Sequence, residues 1–460
     1  MNPIRMKLLV FLLIGVFVSI ANSATPPKYG GVMKLAVFQR FITLDPIITL
    51  TDIEYCISDS LFDGLVRLDR NGKALPCIAS LWEISEDQKT YTFHISGSAK
   101  FHNGRKINAD DIKYSWQRAL VNVESCILAQ SSLELILGAN DYRSGKLKEI
   151  EGLKVIDSNT IQVLLEKPDN SFLTGLTVSS AWIVPKEAVQ KADFSQHPIG
   201  SGPFKIDVAT GLESEVLHLT ANENHVYGRP YLDGIILIYA PDFETALLQF
   251  ETDEIDCLEI PNIDFSKFRS DPTWSSQLTQ NNDNQIICIQ INRKSFPVKA
   301  KISDVLKYGI DVQSILNMIY NQGNAISNDY QPEKARKLSQ ESQVSPAKLI
   351  VFDFGDDLKK ISDRIALDLT KIGFAVNVNS LNRNDFQKAL ADKTYSLALR
   401  IFPLSSGEVD ILGNSAFVPL FYYNTNVLQK SDVQYLPNLV GKLAFRFEDM
   451  YFLRLPKGEN

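Results

Sequence analysis

The tripeptide Gly200-Ser201-Gly202 is the segment whose residue types come nearest to a catalytic or phosphate-binding motif. A serine nucleophile of the elbow type needs the spacing Gly-x-Ser-x-Gly, and a phosphate loop needs a lysine and a second, more distant glycine. The tripeptide has neither arrangement. We therefore predict a tight turn that leads into the strand Phe204-Lys205-Ile206.

Side chains that bind metals or transfer protons are dispersed along the chain. The histidines form no HExxH motif and no pair spaced at i, i+4: His94, His102, His197, His218 and His225. The adjacent carboxylates Asp110-Asp111 and Asp356-Asp357 are typical of helix starts or of solvated charges. The sequence thus predicts no metal site, no cofactor and no enzyme, because nucleophile, base and orienting group cannot be assembled at a recognisable spacing.

The elements that would position any site alternate between strand-like and helix-like segments. Strands are predicted at 32–37, 91–95, 160–165, 255–260, 374–378 and 395–401. Helices are predicted after the caps Asn108, Asp242 and Asn384, and also over 305–310, 315–319 and 358–372, the last ended by Gly373. This alternation favours an α/β fold over a sandwich or a bundle. The polar stretch 324–346 is predicted to be loose.

The first residues predict export. Arg5 and Lys7 precede an apolar run of thirteen residues, 8–20, which is too short to span a bilayer of about 30 Å. Small residues follow, so residues 1–23 are predicted to be a signal peptide cleaved after Ser23, with Ala24 as the second choice. A retained signal anchor is disfavoured because the Thr25-Pro26-Pro27 segment breaks the helix. We expect the mature protein to be periplasmic.

Charge and length limit the class of partner. The 460-residue chain has a formal net charge of −7, which becomes −9 without residues 1–23. Nucleic-acid phosphates attract proteins with a net positive charge, so no nucleic-acid partner is expected for this acidic chain. The roughly 437 remaining residues exceed one core, which predicts two or three lobes. The cysteines leave one disulfide or buried thiols as open alternatives: Cys56, Cys77, Cys126, Cys257 and Cys288.

Ordered motifs along nearly the whole mature chain resemble those of the family 5 extracellular solute-binding proteins, the peptide binders of bacterial ABC importers. The motifs are Gly30-Gly31-Val32-Met33-Lys34-Leu35, Leu44-Asp45-Pro46, the run 61–69, Ala79-Ser80-Leu81-Trp82-Glu83, 91–95 with 99–104, 110–118, 200–205, Pro230-Tyr231-Leu232-Asp233, 252–256, 332–338 and 418–423.

The resemblance implies an α/β fold of the periplasmic binding protein-like II type, with two lobes that close by a hinge. It places lobe I at 24–62, 172–268 and 413–460, an extra subdomain of lobe I at 63–171, and lobe II at 269–412. It also implies capture of short peptides between the lobes, delivery to an inner-membrane ABC permease complex, and a monomer. No chemistry on the ligand is required.

This chain matches the family's ligand-contact residues less completely than its scaffold motifs. The family's binding loop after Leu44-Asp45-Pro46 makes Leu50, Thr51 and Asp52 candidates. In lobe II the family typically has an aromatic residue and then an acid that pairs with the peptide's amine. Here Phe402 matches the aromatic residue, but Ser405 occupies the acidic position, and Glu408 or Asp410 replaces the carboxylate only if the loop is rearranged.

The chain also departs from the family in length. The segment after 322–324 and the segment between Asp410 and Val418 are both shorter than usual, so lobe II is expected to be reduced. Two alternatives to peptide transport follow. The ligand is a nickel complex, haem or a sugar, or the protein has lost transport and binds a partner as a periplasmic chaperone. The last alternative predicts an exposed apolar patch.

Overall fold

The structure is a computed structural model that describes thirteen segments of the chain. They are 28–38, 43–48, 52–69, 72–121, 132–207, 214–297, 299–320, 325–326, 329–342, 346–352, 355–403, 415–435 and 447–452. The side chains of some residues inside these ranges are not described, among them Asp52, Phe402 and residues 281–284.

The described strands are β1 (Val32–Val37), β2 (Val66–Leu68), β3 (Ala74–Pro76), β4 (Ala79–Ile84), β5 (Thr90–Ile95), β6 (Leu153–Asp157), β7 (Thr160–Leu164), β8 (Phe204–Ile206), β9 (Val216–Ala221), β10 (Gly234–Tyr239), β11 (Cys257–Ile260), β12 (Leu278–Ile291), β13 (Ala347–Phe352), β14 (Val376–Leu381), β15 (Leu397–Pro403), β16 (Phe417–Gln429), β17 (Val433–Tyr435) and β18 (Met450–Phe452). The described α-helices are α1 (Asp52–Leu61), α2 (Ala109–Val121), α3 (Ala139–Arg143), α4 (Phe172–Gly175), α5 (Lys186–Val189), α6 (Phe243–Glu251), α7 (Phe265–Ser270), α8 (Ile302–Gly309), α9 (Val312–Tyr320), α10 (Pro332–Ser342), α11 (Gly355–Lys371) and α12 (Arg383–Ala391). None of these helices is both long and apolar enough to cross a membrane.

A ten-stranded mixed sheet runs through the molecule in the order β14-β13-β15-β12-β16-β11-β1-β10-β9-β8. The strand β13 pairs in parallel with β14 and β15, and β1 pairs in parallel with β10 and β11, while the other neighbours are antiparallel. Helices occupy the connections between the parallel strands, as βα units require. The predicted α/β class is confirmed.

Two of the large hydrophobic cores lie towards opposite ends of this sheet, one in lobe I and one in lobe II. In lobe I, strands β1, β9 and β10 pack against α1 and the chain around Trp182. In lobe II, helices α8, α9 and α11 pack on β13, β15 and the distal halves of β12 and β16. Each core buries the apolar stripe of its helices, which is the main favourable contribution to folding.

A separate four-stranded antiparallel sheet, β4-β5-β7-β6, forms a third layer with its own core. The helix α2 covers it, and Trp116 on that helix is fully buried and donates from Nε1 to the carbonyl of Ala181 at 3.0 Å. The predicted cap Asn108 is confirmed, since its Oδ1 accepts from the amide of Asp111 and Asp111 accepts in return from Asn108.

Two predictions about helices in lobe II are wrong. The stretch 324–346 contains the helix α10, which was hard to recognise because its buried face consists of Ala335, Ser339 and Ser342 rather than large apolar residues. The helix α12 is capped by Asn382 and not by Asn384. Asn382 has extended backbone angles and accepts from the amide of Asp385, whereas Asn384 already lies inside the helix.

Other local predictions are confirmed. Asp242 caps α6 by accepting from the amide of Thr245 at 2.7 Å, and Gly373 follows α11 with a φ of 82°. The described cysteines, Cys56, Cys77, Cys257 and Cys288, are free and buried, and Cys126 lies outside the described residues. Of the two alternatives for the cysteines, buried thiols hold for these four.

Candidate functional site

The two longest strands, β12 and β16, pass from one lobe to the other and form the floor between them. Near lobe I, Gln280 lies opposite Asn426, and in lobe II Ile286 lies opposite Tyr422. Between these points the register shifts, because four steps along β12 from Asn281 to Gln285 match two steps along β16. Such an irregularity bends a strand pair and interrupts its ladder, which suits the line about which two lobes rotate.

The strand β15 carries the lobe II residues nearest to this floor. Its full length pairs with β12, with Phe402 opposite Ile286 and Pro403 opposite Gln285. On its other side β15 pairs with β13 only at Leu397 and Ala398. Within the described ranges no further strand is paired with residues 401–403, so this end of β15 forms an edge of the sheet beside the floor.

The chain of lobe I that leads to the predicted binding loop is anchored on the extra layer. The carboxylate of Asp45 accepts a hydrogen bond from Arg118 on α2, and both side chains are largely buried. The amide of Leu44 donates to the carbonyl of Ser195 at 2.7 Å. A buried ion pair holds its partners firmly because losing either one leaves an uncompensated charge. This segment therefore enters α1 from a fixed starting point.

The faces of the two lobes meet beside the floor. Tyr55 and Cys56 of α1 belong to the same buried hydrophobic cluster as Ile286 and Cys288 of β12, and Tyr422 packs at its margin. The cluster joins lobe I side chains to the lobe II sheet. The ligand cleft that the family resemblance implies lies between the lobes, and we take α1 and the ends of β15 and β16 as the described elements that border it.

Most predicted ligand contacts fall outside what the structure describes. Leu50, Thr51, Ser405, Glu408 and Asp410 are not in the described ranges. Two further residues, Asp52 and Phe402, are described in their backbones alone. Asp52 begins α1 and Phe402 lies near the end of β15. The side-chain geometry of all seven stays a prediction.

Arg400 is a residue of this region that the sequence reasoning missed. It is 8% exposed, its Nη1 donates to Gln290 Oε1 at 2.8 Å, and burial lowers its pKa to about 10. The guanidinium therefore keeps its charge at neutral pH, two residues before Phe402. The signal in the sequence was a single cation inside the apolar strand predicted at 395–401, since such residues are rarely buried without a role.

The turn at 200–202 has a structural role. Its carbonyls and amides hold His102, because Gly202 O lies 3.1 Å from Nε2 and the Gly200 amide donates to Nδ1 at 3.3 Å. Both ring nitrogens thus engage backbone, and neither is available to activate Ser201. A Cβ on Gly200 would lie 1.8 Å from Leu61 O, so glycine is needed for close packing. The predicted tight turn before β8 is confirmed.

Metal ligation finds no support in the part of the chain that is described, where no group of three or more His, Cys, Asp or Glu side chains converges. The histidines there serve other contacts. His225 lies 3.4 Å from Asp63, and His94 lies 3.7 Å from Glu83 on the surface of the four-stranded sheet. These are single pairs rather than coordination sets.

Comparison with known proteins agrees with this architecture. The dipeptide-binding protein of Escherichia coli is 24% identical over 381 residues, covering 74% of this chain and 69% of that protein. Heme-binding protein A of Haemophilus influenzae is 26% identical over 407 residues, covering 78% and 72%. The crystal structure of Haemophilus influenzae OppA in complex with RPPGFSPFR has a TM-score of 0.78 at 18% identity, over 93% of this chain and 99% of that one.

Together, the two cores, the two crossing strands and the extra layer define a two-lobed solute-binding protein fold. A profile of the bacterial extracellular solute-binding proteins, family 5, matches residues 73–426. The chain belongs to that family, and the predicted resemblance is confirmed.

Proposed function

We propose that this protein is the periplasmic substrate-binding component of an ABC importer that captures short peptides between its lobes. The observation that carries the proposal is the edge at residues 401–403, which borders the floor and has no described strand on one side. An extended peptide can add to such an edge as a further strand, so that main-chain hydrogen bonds supply affinity whatever the side chains are. Family membership supports the same role.

The ligand contacts of this proposal come from both lobes. Leu50, Thr51 and Asp52 contribute from the loop and the start of α1, and Phe402, Ser405, Glu408 and Asp410 contribute from the end of β15 and the chain beyond it. Because Ser405 stands where an acid would meet the peptide amine, that amine is bound by Glu408 or Asp410 or remains outside the cleft. A buried ammonium without a partner costs several kcal/mol.

The remaining features of the role follow from the fold and the first residues. Residues 1–23 direct export and are cleaved, and the mature protein acts as a monomer without catalysis. Its segments are lobe I (24–62, 172–268, 413–460), the extra subdomain (63–171) and lobe II (269–412). Ligand contacts favour the closed form over the open form, and the closed form is what the inner-membrane permease recognises.

A second candidate ligand is haem. Heme-binding protein A of Haemophilus influenzae shares this fold family and covers most of the chain. The loss of the acid at Ser405 fits a ligand without a free amine. The histidine pairs of the described residues provide no convergent metal ligands, so an iron porphyrin would be held by its apolar faces and its carboxylates.

The experiment is a thermal-shift series on the mature protein with pools of di- to pentapeptides, in free and N-acetylated forms, and with haem. Peptide binding predicts a rise in Tm, because a ligand at 100 times its Kd adds about 2.7 kcal/mol to the free energy of unfolding. Equal shifts for the free and acetylated pools indicate that no acid binds the amine. A shift with haem alone supports the second candidate. No shift with any of them contradicts the proposal and favours a partner-binding role.

A further inference from the structure

The side chain of Asp357 connects lobe II to lobe I beside the floor of the cleft. It lies in the first turn of α11, whose following residues Leu358, Ile361 and Ile365 belong to the lobe II core. Asp357 is 5% exposed, and its Oδ1 is buried without a hydrogen-bond partner among the described residues. Oδ2 accepts from the amide of Asn262 at 2.9 Å and from the hydroxyl of Tyr423 at 2.8 Å.

The backbone amide that donates to Asp357 belongs to Asn262, in a segment of lobe I. Asn262 begins a 3-10 turn between β11 and α7. On either side of that turn Ile260 and Phe265 lie in a hydrophobic cluster with other lobe I residues. The hydrogen bond between Asn262 and Asp357 therefore spans the two lobes directly, without passing through the crossing strands.

Asn262 is itself fixed to the crossing strand β16 by its side-chain amide, and Asn426 extends the contact to β12. Its Nδ2 donates to the carbonyl of Asn424 at 2.9 Å, and its Oδ1 accepts from Asn426 Nδ2 at 2.7 Å. Asn426 Oδ1 in turn accepts from Gln280 Nε2 at 2.9 Å. Asn262 and Asn426 are almost completely buried, at 3% and 0% exposed. Buried polar groups that are hydrogen-bonded to one another favour one geometry strongly, because a displacement breaks those bonds.

The network lies where the strand ladder is weakest. The shifted register between β12 and β16 spans residues 281–285 and 423–425, and the network contacts β16 at residues 423, 424 and 426. A ladder with an unpaired insertion bends more easily than a regular one. Contacts from outside the ladder at this point limit how far the two lobes rotate relative to each other.

We propose that Asp357 is a positioning residue for ligand capture, which ties lobe II to lobe I at the crossing strands and so sets the balance between open and closed forms. The effect on ligand capture rests on the proposed function, but the contact between the lobes does not. That contact is measured in the ligand-free protein, so it can be tested even if the protein binds no peptide.

The same helix supplies a matched control. Asp368 is 0% exposed and is also hydrogen-bonded, but its partners among the described residues lie in lobe II. They are the Arg364 Nε at 3.1 Å, the Lys371 Nζ at 3.2 Å and the amide of Asp311 at 3.2 Å. Removing either carboxylate takes the acceptor from a backbone amide, that of Asn262 for Asp357 and that of Asp311 for Asp368, so both variants are expected to lose stability. Only Asp357→Ala removes a contact between lobes.

The test compares Asp357→Ala, Asp368→Ala and Tyr423→Phe with the parent in the ligand-free, mature protein. For Asp357→Ala we expect amide exchange at residues 262 and 423–426 to accelerate about tenfold or more, and the radius of gyration from solution scattering to increase. For Asp368→Ala both quantities should stay at parent values while Tm falls. Tyr423→Phe, which removes one donor and little volume, should accelerate exchange at the same residues to a smaller extent.

Two results overturn the proposal. One is that Asp357→Ala lowers Tm but leaves exchange at the crossing strands and the radius of gyration unchanged. The other is that Asp368→Ala changes them equally. If Asp357→Ala does not fold, the Tyr423→Phe variant decides in the same way, because unchanged exchange at residues 262 and 423–426 then overturns the tie.

Discussion

At the scale of single residues, His102 shows how a side chain that looks catalytic is held in a structural role. The Gly200 amide donates to Nδ1, so Nδ1 carries no proton and Nε2 donates to Gly202 O. This fixes one neutral tautomer. Burial lowers the pKa of His102 to about 4, because protonation would place a second proton opposite the Gly200 amide in a poorly solvated turn.

His102 should make stability fall in mild acid. In the unfolded chain the imidazole of His102 has a pKa near 6.5 and binds a proton in mild acid. In the folded protein it stays neutral down to about pH 4. Its stabilisation is therefore complete above pH 6.5 and is lost as pH falls towards 4. We expect the free energy of unfolding to drop by about 1–2 kcal/mol between pH 7.5 and pH 5 from this group. Urea denaturation at the two pH values measures it.

The control for this prediction is His102→Gln, which offers an oxygen acceptor and an amide donor to the same two backbone groups but does not titrate. Its loss of stability between pH 7.5 and pH 5 should be smaller than that of the parent by the same amount. An identical pH dependence in the two proteins would show that other groups are responsible.

The buried pair Asp63–His225 is a second example of side chains whose surroundings set their protonation. Burial disfavours the ionised carboxyl, but the imidazole of His225 beside it outweighs this and keeps the pKa of Asp63 below its usual value. The thiol of Cys77 donates to the same carboxylate at 3.6 Å, and burial raises the pKa of that thiol. The thiol therefore stays protonated, which makes it a poor nucleophile.

At the scale of elements, the sequence predicted those helices and strands whose faces carry large apolar residues. The stripe of α2 and the alternation of β1 are read directly from Ile112, Trp116 and the run 32–37. Periodicity missed the helix α10 because small side chains bury without an apolar signature, and only the family resemblance of residues 332–338 indicated that a helix begins there. In α12 the two asparagines Asn382 and Asn384 have the same capping chemistry, so composition could not choose between them.

The cap of α12 can be tested directly. Asn382→Ala removes the acceptor for the amide of Asp385 and should lower the free energy of unfolding by about 1 kcal/mol. Asn384→Ala is the matched control and should cost less than half of that, because alanine is well suited to a helical position. Thermal or urea denaturation of both variants measures the difference. A larger loss of stability from Asn384→Ala than from Asn382→Ala would show that Asn384 is the cap, as the sequence predicted.

The edge of β15 is an element-scale feature that no local pattern reveals. Residues 395–401 read as an ordinary buried strand, and only the sheet order shows that β13 stops pairing with it after Ala398. Among the described residues the strand therefore changes from a central position to an edge within its own length. Edges that are left unpaired are available to other chains, which is why a peptide is the ligand that this geometry favours.

At the scale of the whole molecule, the family and the α/β class were predictable because ordered motifs extend along most of the chain. The contact between the lobes was not. The sequence interpretation treated Asp356-Asp357 as helix-start or solvated charges, and the position at a helix start is correct. The burial of Asp357 against Asn262 depends on how two remote segments, 95 positions apart, come together. Pairings at such separations leave no periodicity in one sequence.

The central claim is that the cleft between the lobes holds a short peptide. Native mass spectrometry of the mature protein purified from its own periplasm, followed by denaturation to release bound molecules, tests it most directly. We expect that peptides of a few residues are released. Their termini will show whether the peptide amine is bound, which would implicate either Glu408 or Asp410. Release of a different small molecule, or protein that is empty and remains so with added peptide pools, would contradict it.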